Sequence, residues 1–115
     1  MNRTWIAMVV GTLLTVTACA GEAPAIPPGP DGTVDDALVL GREVYQRRCA
    51  NCHGADGGGG TGPELAGGAV VAAFPDPETQ MDLIANGRNG MPAFAGRLTA
   101  DELTAVVRYT REVLG

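Results

Sequence analysis

The sequence predicts an all-α fold on three observations. Apolar residues recur at helical spacing in three separate stretches, and each stretch is opened by a capping residue. No stretch alternates with strand period for long enough to compete. The folded part is also short of bulk: from Asp35 onward, 81 residues hold four aromatics and 13 glycines. A chain of that size rarely draws more than ~3–5 kcal/mol from one core, so something besides polypeptide must fill its centre.

The first helix is expected from about Val34 to Arg48, with Thr33 as N-cap and Asp36 as its third-position partner. Val34, Ala37, Leu38, Gly41, Val44 and Tyr45 make its apolar stripe. The second opens at Asp76-Pro77-Glu78, a cap with proline in the first turn, and stops at Asn86-Gly87. Met81, Ile84 and Ala85 lie along it. The third opens with Thr99-Ala100-Asp101-Glu102, a full capping box, and carries Leu103, Val106, Val107, Thr110, Val113 and Leu114 on one face. Val70-Val71 suggests a further helical turn. Between the first and second helices, Gly54 to Gly68 holds eight glycines in fifteen residues, four of them in a row at Gly57–Gly60. A connection that long calls for a functional reason.

The 115 residues divide into three parts. Residues 1–18 read as an export signal, with Arg3 near the start, an apolar stretch from Trp5 to Val16, and small residues at the end. That stretch is shorter than the ~20 apolar residues a membrane span needs. Val16-Thr17-Ala18-Cys19 resembles a lipobox, which would make Cys19 a lipidated N-terminus; ordinary cleavage at Ala18-Cys19-Ala20 would instead release a soluble periplasmic protein. Residues 19–34 form the anchor and a linker with prolines at 24, 27, 28 and 30. In polyproline geometry, at ~3.1 Å per residue, Ala20 to Gly32 would reach roughly 40 Å. Residues 35–115 are the folded domain.

Thirteen acids stand against eight basic residues, all of them arginine, with no run of either sign. An acidic chain without a basic stripe excludes nucleic acid as a partner, because phosphate binding draws on clustered cations.

The chemistry is carried by Cys49-Ala50-Asn51-Cys52-His53, the attachment signature of c-type haem. One helical turn puts both sulfurs on one side, each able to form a thioether with a vinyl group, and His53 follows as an axial ligand of the iron. A thioredoxin-like dithiol would belong near a βαβ pattern, which is missing here. A structural zinc site wants four Cys or His ligands, and past residue 19 there are three. His53 is the only histidine, so a second axial ligand must be a methionine: Met81 or Met91. Met81 sits on an apolar helix face, where methionine is ordinarily core. Met91 stands in a loop between Gly90 and Pro92, free to reach across a haem face, and is the assigned ligand.

From Asp35 to Gly115 the sequence resembles a class I cytochrome c of the small bacterial type. Gly41 and Tyr45 match the glycine and aromatic of that family's first helix, and Tyr109 matches the aromatic of its last. Gly62-Pro63 matches the pair after the haem motif, and Gly90-Met91-Pro92 with Phe94 matches the methionine loop. The resemblance implies one covalent haem c wrapped by three main helices and long loops. It implies that the Pro63 carbonyl accepts a hydrogen bond from the ligand histidine and that Leu65 and Phe94 pack on the haem.

The function implied is a monomeric one-electron carrier, not an enzyme. Its donor would be a quinol-oxidising complex and its acceptor a terminal oxidase, on the outer face of the bacterial cytoplasmic membrane, with membrane lipid held through Cys19. Two alternatives stand beside it: a cytochrome subunit fixed to a dehydrogenase or oxidase, and a haem peroxidase or sensor, which would need an open sixth position.

Overall fold

The computed structural model describes residues 21–115. The export signal and Cys19 lie outside the described residues. Among the described residues there are five helices and no strand, only a single bridge between Arg88 and Met91. The helices are α1 (Asp36–Arg48), α2 (Ala50–His53), α3 (Ala69–Ala73), α4 (Pro77–Asn86) and α5 (Ala100–Glu112). The three long ones are those the periodicity predicts, and α3 contains the Val70-Val71 turn.

Helix α1 begins two residues later than its pattern suggests. Thr33 is already engaged, its amide and hydroxyl both donating to Asp31 Oδ1 at 3.0 and 2.8 Å. Asp35 caps the helix in its place, accepting from the Ala37 amide at 2.8 Å. Val34 therefore falls outside both helix and stripe and is 43% exposed. Arg108 of α5 donates to the free Asp35 oxygen at 2.9 Å. That bond, with the Ala37 amide behind it, holds the Asp35 carboxyl below its usual value. A depressed carboxyl stabilises the fold fully above the ordinary carboxylate range, and the contribution fades as pH falls through the lowered value.

The other boundaries follow their capping chemistry. Asp76 accepts from the Glu78 amide at 3.0 Å with Pro77 in the first turn, and Gly87 ends α4 at φ 71°. In α5 the box is reciprocal: Glu102 N donates to Thr99 Oγ1 at 3.1 Å and Thr99 N to Glu102 Oε2 at 2.9 Å. Thr99→Ala removes one of these bonds and should cost about 1 kcal/mol. Thermal unfolding should register that as a drop of about 4–8 °C in Tm for a domain this small.

The core is built where α1 crosses α5. Gly41 sits at the crossing: a Cβ there would overlap the Ala105 carbonyl and lie 2.8 Å from Tyr109 Cβ. Flanking it, the Tyr45 and Tyr109 rings meet with centroids 5.5 Å apart at 48°, both fully buried. Val44, Val106, Val107, Ile84, Phe94 and Leu114 complete the cluster. The inward side of α4 is Gln80 and Ile84, while Met81 is only half-buried. Gln80 tolerates that position because its Nε2 donates to Thr110 Oγ1 at 2.8 Å and its Oε1 accepts from Arg111 at 3.3 Å.

Candidate functional site

The Cys-x-x-Cys-His run does not simply prolong α1. Cys49 takes φ −119°, interrupting the helix, and α2 restarts as one turn that ends on His53. Cys49 is half-buried against the core cluster, while Cys52 is exposed, and both thiols are free. Burial, and secondarily the neighbouring Cys52, pushes the Cys49 thiol up to about 11.

His53 is buried, and its Nδ1 lies 2.8 Å from the Pro63 carbonyl. A carbonyl can only accept, so Nδ1 carries the proton and Nε2 keeps its lone pair free for a metal. Such a bond fixes both ring orientation and ligand basicity. Gly62 makes room for it: a Cβ there would stand 2.8 Å from His53 Cε1 and 2.9 Å from Nδ1. Gly62→Ala should therefore tilt the ring, lower the reduction potential and weaken the reduced-state visible bands. A potentiometric titration that leaves the midpoint unmoved would show that the ring tolerates the intrusion.

The glycine-rich loop has a defined course. Gly59 N donates to His53 O at 2.7 Å and Gly62 N to Cys52 O at 2.7 Å, so the loop folds onto the carbonyl end of α2. Gly57 and Gly59 adopt φ 78° and 94°, a region that favours glycine. The Gly57 carbonyl then accepts from the amides of Leu65 and Ala66 at 2.8 and 3.1 Å. On the other side, Tyr45 OH donates to Gly54 O at 2.7 Å and Gln46 Nε2 to Ala55 O at 3.0 Å. Burial keeps the Tyr45 phenol protonated, so the donor persists. Tyr45 thus holds the chain directly after His53, a role its helical spacing did not disclose.

Met91 sits in a tight backbone frame. Arg88 N donates to Met91 O at 3.1 Å and Met91 N to Arg88 O at 3.0 Å, with Asn89 at φ 53° in the turn. Phe94 N reaches Ile84 O at 3.0 Å, tying the loop's end to α4. Gly87 is essential to this approach, because a Cβ there would lie 2.6 Å from Met91 O and 2.8 Å from Ala93 N. The sequence marked Gly87 only as a helix stop; its second role is invisible without the returning loop.

The fold brings Cys49, Leu65, Met81 and Met91 to the border of one core cluster that includes Ile84 and Phe94. Val70 is buried outside that cluster. Phe74 is half-buried, its carbonyl held by Arg111 at 2.7 Å. Two free thiols a turn apart, an imidazole with a free Nε2, and half-buried thioethers at the border of that core form a donor set that fits a covalent haem.

The family model described as cytochrome C oxidase, cbb3-type, subunit III matches residues 36–109. The chain belongs to the class I c-type cytochromes. This cytochrome is 37% identical over 73 residues to cytochrome c6 of Leptolyngbya boryana, covering 62% of this chain and 86% of that one. It is 34% identical over 108 residues to cytochrome c-551 of Bacillus subtilis, covering 91% and 92% of the two chains. The solved structure of cytochrome c6 from the diatom Phaeodactylum tricornutum superposes with a TM-score of 0.55 at 29% identity, over 64% of this chain and 88% of that one.

A larger protein also carries the likeness: dihydro-heme d1 dehydrogenase of Pseudomonas aeruginosa, 31% identical over 104 residues, of which this cytochrome spans 18%. As a class I cytochrome c, the chain binds covalent haem c and belongs among electron carriers.

Proposed function

We propose that this cytochrome is a membrane-anchored one-electron carrier, held by lipid on Cys19 at the outer face of a bacterial cytoplasmic membrane. Cys49 and Cys52 would hold the haem by thioethers, His53 Nε2 and the Met91 sulfur would ligate its iron, and Leu65 and Phe94 would pack against it. Bound there, the haem supplies a one-electron ferric–ferrous couple, and a His/Met ligand set places it at higher potential than a bis-histidine one. The observation that carries this reading is the His53–Pro63 bond at 2.8 Å, which commits the one histidine of the chain to a fixed ring whose Nε2 keeps its lone pair. With His53 so committed, no histidine remains for the acid–base work of a peroxidase. The polypeptide's part is to hold both ligands still, so that little reorganisation accompanies the change of charge.

The anchor is read from the sequence, where Val16-Thr17-Ala18-Cys19 fits a lipobox behind a short apolar stretch and ahead of a proline-rich segment. A quinol-oxidising donor and a terminal oxidase acceptor suit that position, and a lipid tether would raise the local concentration of carrier at both.

A second reading, a cytochrome subunit fixed to one oxidase, is favoured by the description of the matching family. Mild detergent extraction separates the two: a carrier elutes alone, a subunit elutes with its complex. Mass spectrometry of the membrane-expressed protein tests the rest, reporting haem attachment, cleavage site and lipid on Cys19 together. A chain without haem mass, or one starting at Ala20 or later, would overturn the corresponding part.

A further inference from the structure

The proline-rich segment ahead of α1 does not stand off the domain. Ile26 is half-buried and packs on the core cluster. Arg42 Nη2, from the middle of α1, donates to Ala23 O at 3.3 Å. Gly21 lies against the Asp56 carboxylate so closely that a Cβ on it would overlap that side chain. A turn, with Gly29 N donating to Thr33 O at 2.8 Å and Gly32 N to Gly29 O at 2.9 Å, reverses the chain before α1 begins. These contacts run in order along α1: the turn beside its start, Ala23 at its middle, Gly21 past its end. The segment is a strap antiparallel to α1, and it delivers the chain to the loop that follows His53.

We propose that this strap selects the face of the domain that meets the bilayer: the loop around Asp56, at the haem-motif end of α1, lies against the lipid headgroups. The inference rests on Cys19 as the lipid anchor. Two peptide steps, at most about 7 Å, separate Cys19 from Gly21, whereas an undocked tether would reach roughly 40 Å. From Gly54 to Pro63 the surface is made of small residues and carries one charge, Asp56. It has no cation to draw it to anionic lipid and no bulk to hold it off, so the short tether decides its position. Among the described residues, one side-chain hydrogen bond and one apolar side chain packed on the core fasten the strap, so Ile26 is the position at which to loosen it. Docked, the cytochrome sits flat with its haem motif near the membrane plane; released, it swings.

The test uses the full lipidated chain in phosphatidylcholine vesicles carrying a fluorophore on the headgroup, with the haem as quencher. The wild-type protein should quench strongly, and Ile26→Asp, whose carboxylate the core expels, should reduce quenching by about two-fold or more as the tether lengthens. The visible spectrum and midpoint should stay unchanged, since Ile26 is outside the haem site. Cleavage after Glu22 by a glutamate-specific protease should be slow in the wild type and several-fold faster in the variant. Equal quenching by two lipidated proteins overturns the inference and leaves the anchor intact. A Cys19 without lipid, with protein that washes off the vesicles, overturns both.

Discussion

Met91→Ala is expected to lower the reduction potential and open the sixth position to cyanide and carbon monoxide, while leaving the fold in place. The reason lies in how the loop is held. Its frame is backbone: the paired bonds between Arg88 and Met91 at 3.0 and 3.1 Å, the close approach over Gly87, and Phe94 N on Ile84 O at 3.0 Å. None of these uses the Met91 side chain, so truncation removes a thioether without removing the turn. Losing a soft neutral ligand withdraws stabilisation from the ferrous state, hence the fall in potential.

Met81→Ala is the matched control. Met81 is also half-buried against the core, and its loss should cost about 1–2 kcal/mol, less than the ~2–5 of a fully buried methionine, with the midpoint unmoved. If potential and ligand-field spectrum change in Met81→Ala and not in Met91→Ala, the ligand assignment is reversed.

Gly41→Ala is the second large effect, and here two terms oppose each other. Alanine favours a helix interior over glycine by about 0.8–1.0 kcal/mol. Against that, the new methyl would overlap the Ala105 carbonyl, and that carbonyl belongs to the backbone of α5 and cannot rotate aside. Separating the helices loosens the contact between Tyr45 and Tyr109 and every residue packed at the crossing. Overpacking of a tight core typically costs about 1–3 kcal/mol, so the net change should be destabilising, and Gly41→Val, which lacks most of the propensity gain, should be worse. For a domain this small the valine variant should lose about 10–20 °C in Tm. A Tm at or above wild type in the alanine variant would mean that the helices give way at little cost.

Much of the site is written locally. Asp76, Pro77 and Gly87 delimit α4, Thr99 and Glu102 open α5, and Cys49, Cys52 and His53 stand in the attachment spacing of c-type haem, because caps and that spacing depend on near neighbours in the chain. What escaped depends on partners far along it. Gln80 reads as a polar interruption of α4 and is in fact buried, through Thr110 and Arg111 some thirty residues on. Thr33 looks like a cap until Asp31 takes its hydroxyl. The proline-rich segment has the composition of a free spacer, yet Ile26 finds the core. Composition reports what a segment cannot bury by itself, not what a neighbouring surface will accept from it.

The crossing of α1 and α5 also imposes an order of events. Gly41 and Ala105 meet across most of the folded chain, so the core cannot close until its final helix has been made. Contacts of such long sequence separation carry a larger loop-closure cost than local ones. Cys49, half-buried against the core that α5 completes, is therefore more accessible while the chain is incomplete. A polypeptide emerging from its N-terminus presents both thiols early; Cys52 stays exposed in the finished fold, and only Cys49 becomes half-buried. The same topology that would enclose the cofactor leaves an interval in which it can be attached, and that interval ends when the last helix docks.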